Sequence, residues 1–356
     1  MKKKNSWLNN NIKRIAWLGH YTKPEKVESA IKLDSNENFA LDRDFIAGVA
    51  AEAAKQVDLR EYPLGQVDEL YAQLAKYAGV SGECVAVGSG SDQIIELLLS
   101  TLGSRRATVF SPTFSYFINR CELHGIKVYQ VPLNPDFTLD RKAFVKAAKR
   151  SDLIYICSPN NPTGNQLDRQ EMIEVVDSLE DRLVLIDEAY VDFADYSLSD
   201  EAIKRNNVIV VRTLSKAFGL AGARVGYILS NRKFVKIFRS IIQSPYPIST
   251  LSLAIALGVL ADVDQVKQTI KYVRSERERV FARLAKIDGI KIFRSDANFI
   301  FIEAGKNYRA ISKILNSNGI VVKLLGDIAN HKGCMRITIG TREMNDKYLK
   351  CIEQII

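Results

Sequence analysis

The chain has 356 residues, 47% apolar and 26% charged, with a formal charge of +9. That length exceeds one typical domain, the composition excludes a disordered chain, and no apolar run approaches the roughly 18 residues needed to cross a bilayer. The basic residues, among them Lys146, Lys149, Arg150, Arg232, Lys233, Lys236 and Arg239, interleave with apolar ones at helical spacing. They read as solvated helix faces, so neither a nucleic-acid partner nor a membrane is expected.

The chain opens with Met1-Lys2-Lys3-Lys4, but Asn5-Ser6-Trp7-Leu8-Asn9-Asn10-Asn11 follows where a secretory leader needs an apolar core. A cytoplasmic protein is therefore expected. Residues 1–32 carry little strand signal and several isolated rings, Trp7, Trp17, His20 and Tyr21, which suggests an N-terminal arm that packs on a partner or covers a site. A poorly ordered terminus is the other reading. Five cysteines, Cys84, Cys121, Cys157, Cys334 and Cys351, are scattered without CxxC spacing, which fits reduced thiols and no metal site.

From about residue 85 to 230, short β-branched runs alternate with amphipathic helical stretches, the pattern of an α/β protein with a mostly parallel sheet. The predicted strands are 84–87, 107–110, 127–131, 153–157, 183–186, 207–211 and 226–229. After about residue 250 the pattern changes to helices near 250–262 and 264–286, then strands at 290–293, 298–303, 320–322 and 335–339 around a helix near 307–318. The expected organisation is an arm (1–32), a large seven-stranded domain (33–250) and a smaller α+β domain (251–356).

In open α/β sheets, ligands bind beyond the carboxyl ends of the strands. Four predicted strands end in unusual chemistry: Phe114 in Ser111-Pro112-Thr113-Phe114, Asn161 in Asn160-Asn161-Pro162-Thr163-Gly164, Asp187 and Tyr190 in Asp187-Glu188-Ala189-Tyr190, and Lys216 in the stretch TLSKAFGLAGARVGY over 213–227. Singly these are a core ring, a turn former, a helix cap and a snorkelling lysine. Gly88-Ser89-Gly90-Ser91-Asp92 adds small residues between a strand and a helix start, where exposed backbone N–H groups can cradle a phosphate. The glycines do not form GxGxxG, and no GxxxxGK[ST] motif is present. Together, a lysine, a carboxylate, an amide, an aromatic and a phosphate cradle match what pyridoxal phosphate requires. The lysine forms a Schiff base with the aldehyde, the carboxylate keeps the ring nitrogen protonated, and the aromatic stacks on the ring.

Those motifs, with Leu33-Asp34-Ser35-Asn36-Glu37-Asn38, Tyr62-Pro63, SPYPIS, DANFI and Met335-Arg336-Ile337-Thr338-Ile339-Gly340-Thr341, run in order along almost the whole chain. On them the sequence closely resembles the pyridoxal-phosphate aminotransferases of fold type I and, within these, the histidinol-phosphate aminotransferases. The resemblance implies catalytic roles for Lys216, Asp187 and Tyr190. It places Gly90, Ser91, Asp92, Thr213, Ser215 and Arg224 at the cofactor phosphate, Phe114 on the ring face, and Asn161 with Tyr190 at the phenolic oxygen. It gives Tyr62 to the phosphate of a partner subunit, implying a homodimer with shared sites. It puts Arg336, Asn298, Asn36, Tyr21 and Lys323 with the substrate. Lys323 departs from the family, which carries arginine there and so grips a phosphate with a bidentate fork.

The implied activity is amino transfer between L-histidinol phosphate and 2-oxoglutarate in histidine biosynthesis. Lysine at 323 leaves an aromatic amino-acid aminotransferase as the alternative. A non-catalytic regulator would need a fused DNA-binding domain, for which the residues before Leu33 are too few.

Overall fold

The computed structural model describes residues 7–16 and 30–354. A helix spans Trp7–Ala16 and exposes Ile12 and Ile15. Tyr21, Trp17 and His20 lie outside the described residues.

The strands in chain order are β1 (Ile31–Leu33), β2 (Val85–Gly88), β3 (Arg106–Ser111), β4 (Lys127–Pro132), β5 (Leu153–Cys157), β6 (Leu183–Asp187), β7 (Val208–Thr213), β8 (Gly226–Leu229), β9 (Lys291–Ile292), β10 (Phe299–Glu303), β11 (Ile320–Ile328) and β12 (His331–Thr338). Seven form the large sheet in the order β2-β8-β7-β6-β5-β3-β4. Its central strands are buried at every residue but the first of β6, which is why they read as unbroken apolar runs rather than alternating ones. β8 alone runs opposite to the other six strands. The carboxyl ends of β2, β3, β5, β6 and β7 therefore share one edge with the first residue of β8. The strand order reverses between β3 and β5, which opens a crevice at that edge.

The second sheet has the order β1-β11-β12-β10-β9. β1 pairs parallel to β11, Leu33 opposite Val322, so this strand straddles the expected boundary at residue 32 and belongs to the small sheet. A three-residue strand leaves too short a pattern to be read ahead of its partner. The helix Thr250–Ala261 packs on Arg43–Gln56 and Gln66–Ala78, which places the start of the expected small domain against helices of the large one. One apolar cluster runs from Val208 and Val210 through Leu253 and Val273 to Ile300 and Ile337, joining the two sheets in a continuous core.

Candidate active site

The turn after β7 presents Lys216. Ser215 N donates to Thr213 Oγ1 at 3.1 Å and Gly219 N to Lys216 O at 3.2 Å, closing the turn so that the lysine leaves it at a fixed angle. Gly219 has φ +65, and a Cβ there would meet Leu41 at 3.0 Å. The half-buried Lys216 donates from Nζ to Ser35 O at 3.0 Å and lies 5.7 Å from the Tyr190 ring centroid. Burial, then the Arg336 charge, lowers its pKa from 10.5 to about 8, with Arg224 adding and Asp92 and Glu37 opposing.

Asp187 ends β6 and is buried. Its Oδ2 accepts from Tyr155 Oη at 2.7 Å and its Oδ1 from Ala189 N at 3.0 Å. Burial raises its pKa from 3.8 to about 6, against the lowering effect of those two donors. Such a carboxylate, held by neutral donors, suits a cationic N–H brought in by a ligand. Tyr155 escaped the sequence reading. The signal was a hydroxyl on a buried strand two residues before Cys157, the register partner of Asp187.

The cradle forms where β2 gives way to the helix Ser91–Thr101. Gly90 is its N-cap at φ +86, supplies no side-chain cap, and would place a Cβ 2.7 Å from Arg224 Nη2. Gly226, at the start of β8, lies so close that a Cβ would fall 2.4 Å from Ser91 N. Arg224 Nη1 donates to Ser215 Oγ at 3.4 Å and Nη2 to Asp92 Oδ2 at 3.2 Å, while Thr213 Oγ1 donates to Ser215 Oγ at 2.9 Å. Helix N–H groups, two hydroxyls and a guanidinium thus converge, with the Asp92 carboxylate paired to that guanidinium. Phe114 is half-buried at the N-cap of Ser115–Leu123, its ring 5.7 Å from Tyr116. The proline-flanked loop after β5 is pinned by Asn160, whose Nδ2 donates to Thr163 Oγ1 at 2.7 Å, and this leaves Asn161 facing the small sheet.

The segment Asp34–Asn38 straps the two sheets together. Arg336 Nη1 donates to Asn161 Oδ1 at 2.5 Å and Nη2 to Asp34 O at 2.6 Å. Asn36 Nδ2 donates to Tyr190 Oη at 2.9 Å, Asn298 Nδ2 to Asn36 O at 3.0 Å, and Asn38 Nδ2 to Ala217 O at 2.8 Å. Lys323 sits opposite Arg336 in the β11–β12 register. Sequence reasoning missed the carbonyls of Asp34 and Ser35, because backbone acceptors carry no residue signature, and Thr338, which follows Arg336 by two on the same strand. Tyr62 is 68% exposed and stacks on Tyr246 with ring centroids 4.1 Å apart. Among the described residues no group of three or more His, Cys, Asp or Glu is placed to hold a metal ion.

A neutralisable amine, a buried carboxylate facing the same crevice and an uncapped helix N-terminus beside an arginine fit an aldehyde cofactor that carries a ring nitrogen and a phosphate. Fold and site together define a pyridoxal-phosphate enzyme of fold type I. Residues 28–352 match the family model "Aminotransferase class I and II". The chain is 34% identical over 337 residues to a histidinol-phosphate aminotransferase of Caldanaerobacter subterraneus subsp. tengcongensis, covering 93% of this chain and 95% of that one. It is 35% identical over 305 residues to the enzyme of that name from Pyrococcus furiosus, covering 86% of each. Among solved structures, the histidinol-phosphate aminotransferase of Sinorhizobium meliloti in complex with pyridoxal-5'-phosphate superposes with a TM-score of 0.85 at 26% identity, over 96% of both chains. The protein belongs to the class I and II aminotransferases, enzymes that use pyridoxal phosphate.

Proposed function

We propose that the protein transfers the amino group between L-histidinol phosphate and 2-oxoglutarate, yielding imidazole-acetol phosphate and L-glutamate in histidine biosynthesis. The relatives of that name, at 34% and 35% identity, support the reaction. The observation that carries the substrate is the opposition of Lys323 and Arg336, two cations on one strand pair.

When bound, the cofactor supplies an aldehyde for the amino group and a ring that stores the electron pair released at the substrate Cα. The protein's own residues do the rest. Lys216 Nζ, neutral above about pH 8, is the amine that holds the aldehyde and, once displaced by substrate, takes the proton from Cα. Asp187 would accept the N–H of the ring nitrogen and keep it cationic. Tyr190 and Asn161 would donate to the phenolic oxygen, and Phe114 would cover one ring face. The N–H groups at Gly90, Ser91 and Asp92, with Thr213, Ser215 and Arg224, would hold the phosphate. Arg336 and Lys323, with Asn298 beside them, would hold the anionic end of the substrate. The expected substrate contact of Tyr21 falls outside the described residues. Asn36, expected there too, is 1% exposed with both amide atoms bonded to Tyr190 and Thr338, and so serves the site from behind.

The assembly in this reading is a cytoplasmic homodimer. Leu59, Tyr62, Leu64 and Ile241 are 71%, 68%, 80% and 75% exposed, an apolar share of surface suited to a second copy that would receive Tyr62 at its phosphate. No helix among the described residues is long and apolar enough to cross a membrane. Mixing K216A and Y62A chains tests the sharing. Hybrid dimers regain activity if one intact site forms from two defective chains, and stay inactive if each chain serves only itself.

The reaction is tested by comparing L-histidinol phosphate and L-phenylalanine as donors with 2-oxoglutarate. A preference for histidinol phosphate supports this reading. A preference for phenylalanine overturns it in favour of an aromatic aminotransferase.

A further inference from the structure

Both ends of the Asn36 amide are bonded, to Tyr190 and to Thr338, and those bonds have a direction. Its Nδ2 donates to Tyr190 Oη at 2.9 Å. An amide nitrogen cannot accept, so the tyrosine oxygen is the acceptor here and the single hydrogen of the phenol is left for another partner. The orientation of the amide is supported on its other side by Thr338. Asn36 N donates to Thr338 Oγ1 at 3.0 Å, which leaves the threonine hydrogen to reach Asn36 Oδ1 at 3.3 Å. With Thr338 Oγ1 donating to the amide oxygen, the amide nitrogen faces Tyr190. Asn36 is 1% exposed, so water does not scramble this order. Its φ of +56 is a conformation that asparagine tolerates better than most residues. Asn298 Nδ2 holds its carbonyl at 3.0 Å, and Thr338 follows Arg336 by two residues, so both face the same side of β12.

We propose that Asn36 is a positioning residue: by donating to the Tyr190 oxygen it frees the phenol hydrogen to serve the bound cofactor, and through Thr338 it ties that hydrogen to the strand that carries Arg336. The inference rests on the reading that Tyr190 donates to the phenolic oxygen of the cofactor. The charged and titratable groups acting on Tyr190 are Arg336 from β12, Cys157 from β5, Asp187 from β6 and Lys216 from the turn after β7. None of them is an amide that could orient its hydroxyl in place of Asn36.

Replacing the amide by a carboxylate inverts the bond. In N36D the carboxylate accepts from Tyr190, so a lone pair rather than a hydrogen faces the cofactor. A phenolic oxygen that loses its donor holds the proton shared with the neighbouring nitrogen more tightly, and the pH midpoint of the bound cofactor's absorbance rises. The expected rise is about one pH unit, the size of one hydrogen bond. T338V, which adds no charge, frees the amide to turn and gives a smaller rise.

The decisive comparison repeats both substitutions in a Y190F background. A positioning role predicts that the T338V shift vanishes there, and that N36D keeps only the part due to its new charge. Shifts equal in the two backgrounds, or absent from both, overturn the proposal. Either variant supplies the test alone if the other fails to fold, which thermal melting of the cofactor-free proteins reports. A Y190F midpoint identical to that of the wild type instead overturns the assignment of Tyr190, and the inference with it.

Discussion

Lys323 and Arg336 stand directly opposite each other across the antiparallel pair β11–β12. Directly opposed residues share a face with Cβ atoms about 5 Å apart, and like charges in that position destabilise a sheet. Arg336 is buried and bound to Asn161 and to the Asp34 carbonyl, so it cannot swing away from its neighbour. A sheet that keeps two cations in register is arranged for an anion placed between them, and a phosphate carries more charge than a carboxylate.

The K323A variant should therefore raise KM for L-histidinol phosphate by about tenfold or more, the scale of one charge-assisted hydrogen bond, and leave kcat nearly unchanged. With L-phenylalanine the change should be small. K323R, which restores a planar fork, should lower KM for the phosphorylated donor. Steady-state kinetics with both donors check this, and equal effects on the two would remove Lys323 from phosphate recognition.

Lys216 supplies a pH prediction for the cofactor-free protein. Only the neutral amine attacks an aldehyde, and burial with the Arg336 charge brings its pKa from 10.5 down to about 8. The rate of pyridoxal phosphate capture should rise with pH to a midpoint near that value and then level off. R336Q removes the second largest cause and should move the midpoint upward. In K216A, borohydride reduction should attach no cofactor to the peptide, and transamination should fall by at least about 10³-fold. Peptide mass spectrometry and stopped-flow absorbance read the two outcomes.

Asp187 acts on stability in the opposite sense to a paired carboxylate. Its folded pKa lies above its unfolded value of 3.8, at about 6, so between those limits the native state binds a proton that the unfolded chain has lost. Stability contributed by this group is present below pH 3.8 and is lost as pH rises to about 6, on the order of 3 kcal/mol in all. Urea unfolding of cofactor-free protein at pH 4 and pH 7 should show this loss relative to D187N. Bound pyridoxal phosphate should shrink it by placing a cationic N–H on the carboxylate. A D187N protein with the same pH slope as the wild type would contradict the assignment.

Gly226→Ala probes the cradle without removing a polar group. The added Cβ would lie 2.4 Å from Ser91 N and 2.5 Å from Gly90 C, both backbone atoms that no rotamer change can move. The substitution should cost about 2 kcal/mol or more and displace the helix N-terminus from Arg224. Cofactor affinity should fall with it, measured by reconstitution of the cofactor-free protein. G222A, at a glycine with nothing within 4 Å, is the control that should change neither.

The seven strands of the large sheet were legible because each is a short apolar run bounded by turn residues, and Leu153–Cys157 and Gly226–Leu229 fall where the pattern places them. Lys216, Asp187, Asn161 and the Gly90 corner were legible for a related reason. A chain that ends buried strands in charged or amide residues at one sheet edge announces a site there, and the resemblance supplied the roles. The strand Ile31–Leu33 could not be read, since three residues acquire strand geometry only from β11 beside them. The carbonyls of Asp34 and Ser35, the hydroxyls of Tyr155 and Thr338, and the Asn36 amide bound to Tyr190 come from segments far apart in the chain. Their roles depend on distances of about 3 Å, set by two sheets packing on one core. The order of residues sets which chemical groups stand at the strand ends, because strand ends are local features. Which atom donates to which is set by the packing of the two sheets, because that direction exists only once the partner is in place.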